Sequence, residues 1–221
     1  MRLVWLSHVL DISTPLYGGE DKVIFHIGKS MANGDSCNTS VLELPSHGGT
    51  HVDAPRHFIP DGKAVSDFPA ESWVFEAPVL IKLPMKTGEL IVPEMLSRLE
   101  KIGKAIDLLL IRTDFESYRG NEIFWKNSPG FSEGAAVYLK ERIPTLRAVG
   151  VDCISISSLV HREAGRAAHQ CFLKGNILLF EDLCLSNIEP DNRLSRVVAL
   201  PLRFKNGDGA PCTIIAWVDD D

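Results

Sequence analysis

Short apolar, β-branched runs recur along the chain, each bounded by turn residues, and this is the pattern of strands more than of long amphipathic helices. The predicted strands are Val23 to Ile27, Thr39 to Leu44, Val79 to Leu83, Leu108 to Arg112, Ala148 to Ile156, Ile177 to Phe180, Val197 to Leu202 and Thr213 to Val218. Three segments carry helical spacing instead. Pro93, at a first helical position, leads into EMLSRLEKI with Met95, Leu96, Leu99 and Ile102 on one face. Ser132 is the predicted N-cap of EGAAVYLKERI, whose stripe is Ala136, Leu139 and Ile143. A third helix is expected from about Glu163 to Leu173. No repeat, low-complexity tract or linker-like shift divides the chain. The expected fold is therefore a single mixed α/β (α+β) domain over residues 1–221, strand-rich with helices packed on the sheet.

Composition removes several function classes. At 221 residues the chain can bury enough surface to fold without disulfides or a partner. Its 45% hydrophobic and 24% charged residues are ordinary for a soluble globular protein. The net charge of −6 has no basic run behind it, so no nucleic-acid partner is expected. No apolar stretch reaches the roughly 18 residues of a membrane span, and MRLVWLSHVLDIS has neither the apolar run nor the cleavage site of a signal peptide. The five cysteines, Cys37, Cys153, Cys171, Cys184 and Cys212, stand singly with no CxxC. Neither a disulfide framework nor a thiolate zinc finger is expected, and a cytoplasmic location is the expectation. Neither a nucleic acid nor a membrane is an expected partner.

The densest chemistry lies in SHGGTHVDAPRHF, Ser46 to Phe58, which holds three of the chain's seven histidines and an aspartate. Gly48, Gly49 and Pro55 work against a continuous helix, so the helical HExxH arrangement is not present. In extended chain, residues separated by even numbers share a side. His47, His51, Asp53 and His57 all occupy odd positions, so a segment bent at its glycines brings them together while Val52 and Ala54 face the core. Imidazole and carboxylate without thiolate suit a catalytic zinc, manganese or iron site. A solvated polar loop is the competing reading, and a phosphate cradle is weaker because no GxxxxGK[ST] is present. Spacing alone leaves open whether His57 is a ligand. Partners from elsewhere are sought in AAHQCFLKGNILLFEDL, where His169 lies on the third helix and Glu181 ends an apolar strand. An isolated buried carboxylate is costly, yet these residues alone equally allow Glu181 to emerge beside Asp182 and His169 to face solvent.

The pattern HxGTHxDAPxHF resembles the signature of the metal-dependent cyclase-family hydrolases, which include bacterial kynurenine formamidase (arylformamidase) and isatin hydrolase. LDISTPLYGGED, LLIRTDF, PGFSEGAAVYL, AVGVDCISISS, HQCFLKGNILLFEDL and ALPLRFKNGDGAPCTIIAW resemble further family blocks in the same order, over nearly the whole chain. The resemblance implies a swivelling β/β/α domain, a homodimer or homotetramer with its pocket at the subunit border, and two divalent ions, zinc or manganese. It implies that His47, His51 and Asp53 bind the first ion, that His169 binds the second, and that Asp53 and Glu181 reach both. It gives His57 the role of proton transfer and not of ligand. The implied reaction is attack of a metal-activated hydroxide on a C–N amide bond, as in N-formylkynurenine giving kynurenine and formate. Lactam or lactone ring opening, as of isatin, is the alternative, and a non-catalytic metal-dependent binder is the third possibility, against which His57 speaks. Two departures bear on the substrate. The Pro-Gly-Asp turn reads Gly18-Gly19-Glu20 after Tyr17, where formamidases tend to carry Trp, and the motif core is Gly-Thr-His where they often have Gly-Ala-His.

Several other residues have plain structural readings. Tyr17 is a substrate-pocket candidate that serves equally as a turn aromatic. Thr50 and Ser46 either orient the histidines or hold a turn. Asp152 suits a structural hydrogen-bonding role, and His161 is a rival ligand ranked below His169. His8 and His26 read as ordinary strand or loop residues, and Arg112 and Arg203 as surface ion-pairing groups more than substrate contacts.

Overall fold

The computed structural model describes residues 1–19, 21–101, 105–189 and 192–219. In chain order its strands and helices are β1 (Arg2–Trp5), β2 (Ile24–Ile27), β3 (Ser40–Glu43), β4 (His51–Asp53), β5 (Val74–Phe75), β6 (Pro78–Lys82), β7 (Leu90–Ile91), β8 (Leu108–Arg112), α1 (Ile123–Lys126), β9 (Gly130–Phe131), α2 (Glu133–Arg142), β10 (Ala148–Val151), α3 (Arg162–Lys174), β11 (Leu178–Glu181), β12 (Arg193–Pro201) and β13 (Gly209–Asp219). The mixed α/β expectation holds. One sheet runs β5-β12-β13-β4-β11-β10-β8-β6, with β1 added to β13, and it curls into a nearly closed barrel that brings β12 against β6.

This sheet has two halves of different character. β6, β8, β10 and β11 are mutually parallel, whereas β4, β13, β12, β5 and β1 pair antiparallel. The short β4 joins the halves, antiparallel to β11 on one side and to β13 on the other. The parallel strands are buried on both faces, as their unbroken apolar sequences require. On β8, Leu109 and Ile111 pack in the core shared with α2 and α3, while Leu108 and Leu110 pack in the core lined by β12 and β13. In open and barrel sheets alike, parallel strands commonly place ligand sites beyond their carboxyl ends. Here that place is the end of β11 beside β4.

Local chemistry accounts for the elements and for the departures from expectation. Ser132 caps α2 by accepting from the Ala135 N–H at 3.1 Å. The helix expected from Pro93 is a 3-10 run over Pro93–Lys101. Pro93, Leu96 and Leu99 recur every three residues, the period of that tighter helix, and Leu96 and Leu99 are buried by it. Ile102, and likewise Glu20 of the aromatic-led turn, lie outside the described residues. The strand expected over Ala148 to Ile156 ends at Val151. There Asp152 accepts the Thr113 N–H and hydroxyl, and the chain leaves the ladder to cross the strand ends. Asp152 thus has the structural role expected of it, and burial raises its carboxyl to about 6 against those hydrogen bonds. Strands β1, β4, β5, β7 and β9 are additions that the hydrophobic pattern does not predict.

Candidate active site

β4 sets the site. Along its three residues the side chains of His51 and Asp53 point one way and Val52 the other, into the core. The register places His51 opposite Glu181 of β11 and Asp53 opposite Gly209 of β13. Gly209 is needed at that point, because a Cβ there would lie 2.4 Å from the His47 ring. Gly49 adopts a left-handed φ of 65° just before β4, which L side chains rarely adopt. Its carbonyl oxygen lies 2.8 Å from His51 Nδ1.

That contact and its counterpart on α3 define the two buried imidazoles. A carbonyl only accepts, so His51 Nδ1 donates to Gly49, and His169 Nδ1 donates to the Gly165 carbonyl at 2.8 Å. In both rings Nε2 is left facing the same two carboxylates. His51 Nε2 lies 3.4 Å from Asp53 Oδ1 and 3.3 Å from Glu181 Oε2. His169 Nε2 lies 3.3 Å from Asp53 Oδ2 and 3.4 Å from Glu181 Oε1. Each carboxylate therefore turns one oxygen to His51 and the other to His169. All four residues are buried.

The electrostatics follow from that packing. Burial opposes the charged imidazolium, yet Asp53 and Glu181 overcome it and hold His169 up at about 10 and His51 well above its ordinary range. Burial and Asp53 push Glu181 up, but His169 and His51 prevail and hold it at about 2. Asp53 is likewise held well below the carboxylate range by His169, His47 and His51 against its burial. The cluster is built to hold positive charge between two carboxylates. Glu181 is further fixed by the Ser155 hydroxyl and the Ile156 N–H, which donate to Oε1 at 2.9 and 2.8 Å. The adjacent Asp182 turns away and pairs with Arg119 through two bonds of 2.8 Å.

His47 and His57 stand at the open side of this cluster. His47 bridges Asp53 and Asp208, with Nδ1 at 2.7 Å from Asp53 Oδ1 and Nε2 at 2.9 Å from Asp208 Oδ2. His57 sits on a 3-10 turn, Pro55–His57, and its ring lies 3.9 Å from that of His47. Its Nδ1 is 3.3 Å from Asp208 Oδ2. Burial, with His47 and His169 close by, holds His57 below the ordinary imidazole range against the pull of Asp53. Donor atoms of His47, Asp53 and His57 also lie within 4.8 Å of one another, so proximity by itself does not separate His57 from the ligating groups.

The expected residues therefore meet. His47, His51, Asp53, His57, His169 and Glu181 converge, and all but Asp53 line a cavity of about 250 Å³ together with Tyr17 and Phe58. The extended part of the motif is confined to His51–Asp53, with turns delivering His47 and His57. His161 lies away from the cluster, exposed, with Nε2 at 3.0 Å from the Gly88 carbonyl. Among the described residues neither Thr50 nor Ser46 hydrogen-bonds a histidine side chain: Thr50 accepts from the His8 N–H and donates to the Asp182 carbonyl, and Ser46 donates to Asp208. Sequence reasoning missed Asp208, Ser155, Arg162 and Arg166. Only the position of Asp208 inside a block of family resemblance pointed to it. Arg112 is engaged with Asp114 and the Ile188 carbonyl and is not in the cavity. One further donor group, His8, Glu116 and Cys184, lies apart, and its Glu116 already accepts from Leu185 N, Ser186 N and the Ser186 hydroxyl.

Residues 4–158 match the family model Cyclase, described as "Putative cyclase". The chain belongs to the cyclase family. This cyclase-family chain is 30% identical over 220 residues to kynurenine formamidase of Bacillus mycoides (strain KBAB4), covering 93% of the chain and 95% of that relative. It is also 30% identical over 225 residues to Cyclase-like protein 2 of Oryza sativa subsp. japonica, covering 97% of the chain and 78% of the relative. Among solved structures, isatin hydrolase A from Labrenzia aggregata bound to benzyl benzoate superposes with a TM-score of 0.83 at 25% identity, covering 97% of this chain and 93% of that one. Among the described residues, no helix is long and apolar enough to cross a membrane.

Proposed function

We propose that the protein is a metal-dependent hydrolase that cleaves the C–N bond of a small aromatic formamide or lactam. The observation that carries this reading is the pair of carboxylates, Asp53 and Glu181, each shared between two imidazole nitrogens. The residues fit divalent ions on their own chemistry. Asp53 Oδ2 is buried with no hydrogen-bond partner among the described residues, and the donors are nitrogen and oxygen without sulfur. His47, His51 and Asp53 would hold one ion and His169 the other, with Asp53 and Glu181 spanning both, and zinc or manganese suits this set. When bound, such ions polarise a carbonyl oxygen and lower the pKa of water.

The chain's own residues supply the rest. Phe58 stacks on His169 at 4.5 Å between ring centroids and, with Tyr17, gives the cavity an aromatic wall for the substrate ring. His57 takes the proton of the attacking water and delivers it to the departing nitrogen. Asp208, beside both His57 and His47, positions the two rings. A formamide then yields formate and an aryl amine. A lactam opens by the same transfers with the amine still attached, and the Gly-Thr-His motif core favours keeping this second substrate type in view. The test is turnover of N-formylkynurenine, isatin and simple lactones by zinc- or manganese-loaded protein. Hydrolysis of the formamide or the lactam is expected, and tight metal binding with no hydrolysis of any of them overturns the reading.

The assembly proposed is a homodimer or homotetramer. The β2–β3 hairpin exposes Ile24, Phe25, Ile27, Val41 and Leu42, and a two-stranded hairpin is marginal by itself. Leu42 and Leu44 line an apolar cavity of about 650 Å³ with Trp5, Leu200 and Leu202, so the exposed face is continuous with the main sheet. A second copy of the same face is its complement in a two-fold assembly. Phe25→Asp with Val41→Asp is expected to move the protein to monomer in light scattering. An unchanged molar mass removes this face from the interface.

A further inference from the structure

The cavity has a cationic rim above its histidine and carboxylate floor. Arg162 and Arg166 both line it, four residues apart on the same side of α3. They also line the adjoining surface cleft with Glu163 and Gln170. Folding gains nothing evident from this placement. Like charges four apart on a helix repel. Arg162 is the first residue of α3, where the positive end of the helix disfavours a cation. His161 precedes it, so the basic groups gather at that end with Glu163 as the acidic residue of the first turn. Among the described residues, neither guanidinium has a carboxylate within ion-pair distance or a hydrogen-bond partner. The influence of Arg162 nevertheless reaches into the site: burial holds the Tyr17 hydroxyl above its ordinary value, and Arg162 acts against that rise.

We propose that Arg162 and Arg166 bind an anionic substituent of the substrate, so that the enzyme selects aromatic amides whose ring carries a carboxylate. This rests on the hydrolase reading above and adds to it the substrate's charge. A planar guanidinium offers forked donors that match a carboxylate. The reacting amide is drawn to the floor by Asp53, Glu181 and the histidines, and the carboxylate is drawn to the rim. Phe58, Tyr17 and Ile154 bracket the aromatic ring between them. Two arginines on one rigid helix thus set the orientation in which the C–N bond meets His57.

The test compares formanilide, which is neutral, with 2-formamidobenzoate, its carboxylate-bearing counterpart, on metal-loaded full-length protein. Binding of 2-aminobenzoate against aniline gives a readout that needs no turnover. Wild type is expected to prefer the carboxylate compound. Arg162→Gln with Arg166→Gln is expected to raise KM for 2-formamidobenzoate about 10–100-fold, the scale of losing charge-assisted hydrogen bonds. The KM for formanilide is expected to change about twofold or less, and 2-aminobenzoate binding to weaken by the same factor as the KM for 2-formamidobenzoate rises. The melting temperature of the unliganded variant should equal or exceed that of wild type, since the removed charges opposed the helix dipole. Equal KM changes for both substrates, or unchanged 2-aminobenzoate binding, overturn the proposal. Arginine-dependent binding of 2-aminobenzoate with no hydrolysis of either amide upholds the anion site and sinks the hydrolase reading instead.

Discussion

His57→Ala is expected to bind its metal ions as wild type does and to lose roughly 10²–10⁴-fold in kcat, the usual value of positioned general acid–base assistance. The expectation follows from where the ring stands. His51 and His169 are buried with Nε2 aimed at two carboxylates, whereas His57 is half-buried on the cavity wall with its Nδ1 turned to Asp208. Removing a ligand lowers metal content first and activity as a consequence. Removing a proton-transfer group lowers kcat at unchanged metal content. Elemental analysis and steady-state kinetics on the same preparation separate the two. Loss of an ion from His57→Ala moves this residue into the ligand set, for which its closeness to His47 and Asp53 leaves room. Near wild-type turnover removes it from the mechanism altogether.

Glu181→Gln and Asp53→Asn are expected to lose at least one bound ion and with it measurable activity. Both are close to isosteric, so the failure is electrostatic and not one of packing. The amide that replaces the Glu181 carboxylate still offers an oxygen to Ser155 and the Ile156 N–H, but it no longer presents a charged oxygen to both His51 and His169. A thermal-shift titration gives a second reading. Ligand that binds only the folded state stabilises it by about 2.7 kcal/mol at a hundredfold excess over Kd. Wild type should gain this on zinc or manganese titration, and each variant should gain much less. Full metal occupancy in either variant takes that carboxylate out of the site.

What is legible in the sequence depends on how locally each feature is encoded. Ser132 and the stripe of α2 are written within one helix and can be read directly. The histidine-rich stretch is legible because four polar groups crowd into it, although its extended part is only His51–Asp53. β4 escapes the strand pattern for a physical reason. Its outer residues are polar and buried, which contradicts the alternation of an ordinary half-exposed strand, and such contradictions gather at functional sites. His169 and Glu181 are legible by family resemblance, since nothing in their own neighbourhood distinguishes a ligand from a solvated helix residue or a strand end. Asp208 and Ser155 lie on loops that reach the cluster only through the pairing of β13 with β4 and the crossing of the β10 strand end. Arg162 and Arg166 read as ordinary helix-surface charges until the cavity beneath them is seen. Arg112, which the sequence offers as an ion-pairing group more than a substrate contact, is paired with Asp114.

The three-residue β4 has a consequence for the order in which a working molecule is completed. It is held on one side by β11 and on the other by β13, so residues 51–53 wait for partners made at 178–181 and 209–219. A ribosome that has released the recognisable histidine stretch has made neither His169 nor Glu181 nor the strand that brings Asp208 to His47. The portion matched by the family model, residues 4–158, is in the same position. It carries the motif that identifies the chain, yet a nascent polypeptide of that length lacks half of the charge-holding cluster and has no closed sheet on which to mount it.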